Sequence, residues 1–186
     1  MHIFIRMRKK FVQEIVIPEG VEVKREEDTV FVKGPEGESS KEFNFGKLSF
    51  EIKDSKIILS HLLATKKEKR MINTISSHLK NLVEGAQKKF EYKLKICSSH
   101  FLMSVEQKDQ EIVIKNFLGE KTPRKCKIPK GAEIEINKEI ITVKSTNKEI
   151  AGQAAANFEA TTKIRNKDRR VFQDGIFIID KNGREI

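Results

Sequence analysis

The sequence predicts an α+β protein of two tandem duplicated domains, each a small antiparallel sheet packed on one helix. Three observations carry that expectation. A strand–turn–strand pattern occurs twice, as IVIPEGVEV at Ile15–Val23 and CKIPKGAEI at Cys126–Ile134. Each occurrence is followed by a helix with the same start signal. The 186 residues are 38% hydrophobic with 12 Phe and no Trp, which supplies modest cores and little for a large enzyme.

The two stretches share the pattern I-P-x-G-x-E-apolar. Pro18 aligns with Pro129 and Gly20 with Gly131, a step of 111 residues. The same step sets Val32-Lys33 on Val143-Lys144 without a gap. Each copy therefore reads as strand, Pro-x-Gly turn, strand, tight polar turn, strand. In the first copy VKGPEG, Val32–Gly37, is a turn between strands, with no helix start behind it to make a phosphate cradle. FNF and FEIKDSKIILS follow, alternating apolar and polar about Asp54-Ser55, a hairpin signal. Thr65-Lys-Lys-Glu68 is a capping box, in which hydroxyl and carboxylate satisfy the first free N–H groups of a helix. Ile72, Ile75, Leu79, Leu82 and Val83 give that helix one apolar face, and Gly85 is its expected stop. The boundary is expected near Gly85–Lys89, giving domains 1–87 and 88–186.

In the second copy the extra strands come first: FEYKLKI, HFLMSVEQ and EIVIKNFL lie within Phe90–Leu118. Thr146-Asn-Lys-Glu149 is expected to cap the second helix as Thr65 caps the first. Ile150, Ala151, Ala154, Ala155 and Phe158 form its inner face, and their small size implies a close approach to the neighbouring surface.

Charge says more about function than any motif does. Lys+Arg is 37 against 27 Asp+Glu, a formal net charge of +10. A protein this basic fits a polyanionic partner, nucleic acid or an anionic membrane surface. Lys121–Lys130 (KTPRKCKIPK) holds five cations and no acid, and Lys163–Arg170 (KIRNKDRR) holds five cations and Asp168. Each sits beside a turn signal, Phe117-Leu118-Gly119 or Gln173-Asp174-Gly175. Exposed backbone amides beside Lys and Arg suit phosphate contact. The plainer reading of the second run is a solvated helix end, whose cations complement the dipole. The aromatics form no RNA-stacking signature, so recognition is expected to rest on backbone and shape.

No catalytic constellation emerges, and the chain is not expected to be an enzyme. His2, His61, His78 and His100 show no H-x-x-x-H or H-E-x-x-H spacing, and no nucleophile elbow or phosphate-binding loop occurs. A nuclease or phosphatase would need clustered carboxylates for metal, and the acids are dispersed. Cys97 and Cys126 have no metal-ligand spacing, and isolated reduced thiols fit a cytosolic protein. No metal and no cofactor is expected. No apolar run reaches the length of a membrane span, and MHIFIRMRKKF lacks the apolar centre and cleavage site of a secretory signal.

Four segments carry a resemblance: VKGPEG (Val32–Gly37), EGAQKKFEYKLKI (Glu84–Ile96), NFLGEKTPR (Asn116–Arg124) and NKDRRVFQDGIFI (Asn166–Ile178). They resemble the ribosomal large-subunit protein family numbered six in bacteria and nine in eukaryotes, in its archaeal and eukaryotic form. The likeness runs from about Gln13 to Ile179. His100-Phe101-Leu102-Met103 departs from the family's HFPI, which puts the local strand geometry in question. The resemblance implies a tandem-domain structural constituent of the cytoplasmic ribosome. It would bind large-subunit rRNA mainly through its second domain, near the stalk base and the sarcin–ricin loop. Its partners would be rRNA, neighbouring ribosomal proteins and, by proximity, GTPase translation factors, with no membrane. Carried over by motif, the RNA-binding residues are Lys121, Arg124 and Lys125, then Lys163, Arg165, Asn166, Lys167, Arg169 and Arg170, with Gln173, Asp174 and Gly175 in the turn. The alternative is a non-ribosomal RNA- or DNA-binding protein using the same basic surface.

Overall fold

The computed structural model describes residues 9–53, 55–99, 101–108, 111–168 and 170–186. The chain divides between Lys88 and Lys89 into two compact units. The first runs β1 (Lys9–Val16), β2 (Glu22–Glu26), β3 (Thr29–Gly34), β4 (Gly37–Glu42), β5 (Ser49–Lys53), β6 (Lys56–Ala64) and α1 (Lys66–Gln87). The second runs β7 (Phe90–Cys97), β8 (Ser104–Lys108), β9 (Glu111–Lys115), β10 (Arg124–Lys127), β11 (Glu133–Asn137), β12 (Ile140–Ser145), α2 (Lys148–Thr161), β13 (Gly175–Lys181) and β14 (Arg184–Glu185).

The strand pairings show a tandem duplicated α+β fold with a register of its own. The first unit pairs β1-β6-β5 and β2-β3-β4, and the second pairs β7-β12-β11 and β8-β9-β10. Both units are therefore six strands in the same topology followed by one helix. The second unit extends its larger sheet past β7 with β13 and β14. Glu22, Thr29 and the helix cap Thr65 correspond to Ser104, Glu111 and Asn147, each 82 positions later. The step of 111 residues is thereby corrected: it matched β1–β2 to β10–β11, which are not equivalent. Those two corners share chemistry, not ancestry of position. Val21 donates to the Pro18 carbonyl and Ala132 to the Pro129 carbonyl, each at 3.4 Å. Gly20 and Gly131 take the positive φ that such a corner requires.

Each unit has its own core. Val30, Val32, Ile57 and Leu59 from the strands meet Ile72, Ile75 and Leu79 from α1. In the second unit Phe90, Leu94, Ile112, Ile114, Ile141 and Val143 meet Ala151, Ala154, Ala155 and Phe158 of α2. The alanines let α2 lie close on its sheet, with Phe158 filling the space between.

Several local expectations meet their physical counterparts. Thr65 caps α1 with the reciprocal Glu68 bond of a capping box. At α2 the cap is Asn147 rather than Thr146, its Oδ1 accepting from the Glu149 amide at 2.9 Å. α1 does not stop at Gly85, which is buried inside it. The helix runs on to Gln87 because its end is received by the β3–β4 turn: Glu36 donates to the Ala86 carbonyl at 3.1 Å. Any Cβ at Gly34 would lie 2.5 Å from that carbonyl oxygen, so the approach needs glycine. Lys53 faces Lys56 across the β5–β6 hairpin, with Ser55 in the left-handed region. Asp54 and His100 lie outside the described residues. The strand expected from His100 begins only at Ser104, the residues from Phe101 to Met103 being a loop.

Candidate nucleic-acid interface

Three loops converge at one end of the second unit. The first follows β7 (Ser98–Met103), the second joins β9 to β10 (Asn116–Pro123), and the third joins α2 to β13 (Thr162–Asp174). Polar bonds close them into a ring. The Asp174 carboxylate accepts from the Ser99 amide and hydroxyl, each at 2.6 Å. The Asn116 side chain donates to the Leu102 carbonyl at 3.0 Å, while the Phe101 ring lies beside Gly119. Arg124 ties the second loop to the third: its guanidinium donates to the Thr161 carbonyl at 2.7 Å and the Lys163 carbonyl at 3.4 Å.

The second loop is tightly wound. Asn116, Leu118 and Gly119 all have positive φ, and Phe117–Gly119 forms a 3-10 turn. Asn tolerates that conformation, Gly adopts it freely, and Leu118 adopts it at a cost. Phe117 is buried, which offsets part of that cost. The third loop is built round Asp168, whose side chain accepts from the Arg170 amide at 2.9 Å and whose carbonyl accepts from Val171 and Phe172. The turn thus lies at Asp168–Phe172 rather than at Gln173-Asp174-Gly175, and Gly175 already pairs with Cys97 in the sheet.

This geometry sorts the residues expected to touch RNA. Lys121, Lys163, Arg165, Asn166, Lys167, Arg170 and Gln173 are exposed on the second and third loops. Lys167 holds its ammonium 4.6 Å from the Phe172 ring centre. Lys125 stands on β10, outside the ring of contacts, 3.6 Å from Glu111. Three residues expected to touch RNA are engaged within the protein. Arg124 turns inward: besides the two carbonyls it grips both Glu120 oxygens, at 2.6 and 2.8 Å, and covers the Phe117 ring at 4.3 Å. Asp174 is 2% exposed and spends its carboxylate on Ser99. Gly175 is buried beneath the Phe177 ring, so it is a packing glycine. Arg169 lies outside the described residues.

The Arg124 bond, with the charges of Arg124 and Lys167, holds the Glu120 carboxyl below its usual range against the opposing effect of desolvation. Glu120 therefore cancels part of the basic field while bracing the loop. The bracing residues Ser99, Glu120 and Phe117 were not anticipated. Only Glu120–Arg124 carries a readable signal, an opposite-charge pair four residues apart. Among the described residues no group of three or more His, Cys, Asp or Glu could hold a metal ion, and no helix is long and apolar enough to cross a membrane.

Fold and site together define a tandem α+β protein with one basic, loop-built end. The family model described as Ribosomal protein L6 matches residues 17–89 and 103–175, and the chain belongs to that family. Each match begins ahead of the second strand of its unit and runs past its helix. The family is one of structural components, not enzymes. The large ribosomal subunit protein uL6 of Methanobrevibacter smithii is 41% identical over 169 residues, covering 91% of this chain and 95% of the relative. That of Methanosarcina mazei is 40% identical over 175 residues, covering 94% and 99%. That of Methanococcus vannielii is 38% identical over 172 residues, covering 92% and 94%.

Proposed function

We propose that this chain is a structural constituent of the large ribosomal subunit in the cytoplasm and holds large-subunit rRNA with the basic end of its second unit. The observation that carries the reading is the interlocked loops, which present Lys121, Lys163, Arg165, Lys167 and Arg170 outward on a braced frame. Fixed cations lose less entropy on meeting phosphate than mobile ones do. By its family resemblance the contact lies near the stalk base and the sarcin–ricin loop, beside neighbouring ribosomal proteins and within reach of GTPase translation factors.

Phosphate contact acts through counterion release, so affinity for protein-free large-subunit rRNA falls steeply with salt. Each neutralised phosphate adds about 0.7–0.9 to the slope of log K against log salt. Changing Arg165 and Lys167 together to Gln should flatten that slope by roughly 1.5 and leave the melting temperature nearly unchanged. An unaltered slope would show that this loop is a solvated helix end. Co-sedimentation with large subunits in moderate salt separates the ribosomal reading from that of a free RNA- or DNA-binding protein.

A further inference from the structure

An open groove of about 1050 Å³ lies in the second unit, between the first and third loops and one side of α2. Its wall includes Lys163, so the groove adjoins the face proposed above to hold phosphates. Phe177 lines it and is 45% exposed, unusual for a large aromatic on a sheet. Beneath the ring is Gly175, two residues earlier on the same strand. A Cβ there would sit 2.9 Å from the Phe177 Cζ, so the ring lies against bare backbone. Phe172 supplies a second aromatic wall, with the Lys167 ammonium over its ring.

The edge of β13 beside the groove is closed to a further strand. Its outward amides are already bound by side chains of α2 and the residue after it: Ile176 donates to the Thr162 hydroxyl and Ile178 to the Glu159 carboxylate, each at 3.0 Å. A peptide adding by strand pairing would find those donors taken. What remains is a space with aromatic walls, Lys95 and Lys163 for phosphate or carbonyl oxygen, and Ser98 and Glu139 at the wall for base edges. A carboxylate accepts from exocyclic amino groups, and an aromatic face stacks on any base.

We propose that this groove receives one unpaired base of the bound RNA, stacked on Phe177, while the third loop holds the adjoining phosphates. The inference rests on the RNA-binding reading above. Affinity of the full chain for protein-free large-subunit rRNA, measured across a salt series, tests it with Phe177→Leu and Phe177→Tyr. Leu should lower affinity about tenfold at every salt concentration, the order of one lost base–aromatic stack. The salt slope should stay as it is, since no cation is lost, and the melting temperature of the free protein should fall only slightly, since the ring is half exposed. Tyr, which keeps the ring, should restore binding. Wild-type affinity in the Leu variant overturns the proposal. So does a flattened slope, which would mean that the ring merely places the loop cations, or a fall in melting temperature matching the lost affinity. If Leu binds rRNA normally yet the variant leaves purified large subunits, the groove seats a protein segment and the proposal fails. If the wild type does not bind rRNA, the functional reading fails first and this one with it.

Discussion

Arg124 shows how much a single side chain can mislead and inform. Read in sequence it is one cation of five in a basic run, and phosphate contact is the natural expectation. In the fold its donors point inward, to Glu120, Thr161 and Lys163, with the plane laid on Phe117. Arg124→Gln should therefore cost about 1–2 kcal/mol of stability and weaken RNA binding without changing the salt slope, because no phosphate contact is lost. A slope reduced by about 0.7–0.9 would mark Arg124 as a direct contact after all. The pair also has a pH signature. Glu120 is held below the usual carboxylate range in the folded protein, so its contribution is present above the unfolded value and fades as pH falls through the folded one. Thermal melts from pH 7 down to pH 3 should show an acid-side loss in the wild type that is smaller in Arg124→Gln. At this scale the sequence displayed which residues are basic but not which way they face. Nor did it show that Asp174 and Gly175 are buried, because burial depends on partners as distant as Ser99.

The elements were the most legible level, since their signals are local. The capping box at Thr65–Glu68 needs only four consecutive residues, and it forms as read. Hydrogen bonds from the Thr65 hydroxyl and amide hold the Glu68 carboxyl at about 2. Its contribution to α1 is thus complete above the ordinary carboxylate range and is lost only as pH falls toward about 2. Thr65→Ala should lower stability by about 1 kcal/mol, and Asn147→Ala should do the same for α2. Thr146→Ala should do less, which calorimetry can compare directly. What escaped the sequence was the pairing of elements. The corners at Pro18 and Pro129 share Ile, Pro, Gly and Glu at the same spacing, whereas β2–β3 and β8–β9 share little beyond Val23/Val105, Val30/Ile112, Val32/Ile114 and Lys33/Lys115. A tight corner constrains residue type strongly, and a strand accepts any β-branched or aromatic residue. The loudest repeat in such a chain therefore reports turn chemistry, and the true duplication is audible only in the ladder.

For the whole molecule, duplication of fold was read correctly and division of labour is the prediction that remains. The first unit turns its β3–β4 connection into a two-residue turn seated on α1, whereas the second expands the equivalent connection into the long loop that Arg124 braces. Only the second adds β13, and with it the basic third loop. A fragment from Lys89 to Ile186 has its own core and should bind rRNA nearly as well as the full chain. If the fragment ending at Lys88 binds as tightly, the assignment of affinity to the second unit is wrong.

The pairing of β13 with β7 also sets a timetable. Gly175 lies opposite Cys97, so the far end of the basic loop is anchored to a strand made long before it. During synthesis, a chain that has just reached Gln173 already carries every cation of that loop, yet has no strand to hold it, and Asp174 has not arrived to clasp Ser99. Its cations then sit on an unanchored tail. Only when β13 has paired with β7 and Asp174 has clasped Ser99 is the loop held at both ends, so its bracing is the last part of this unit to form.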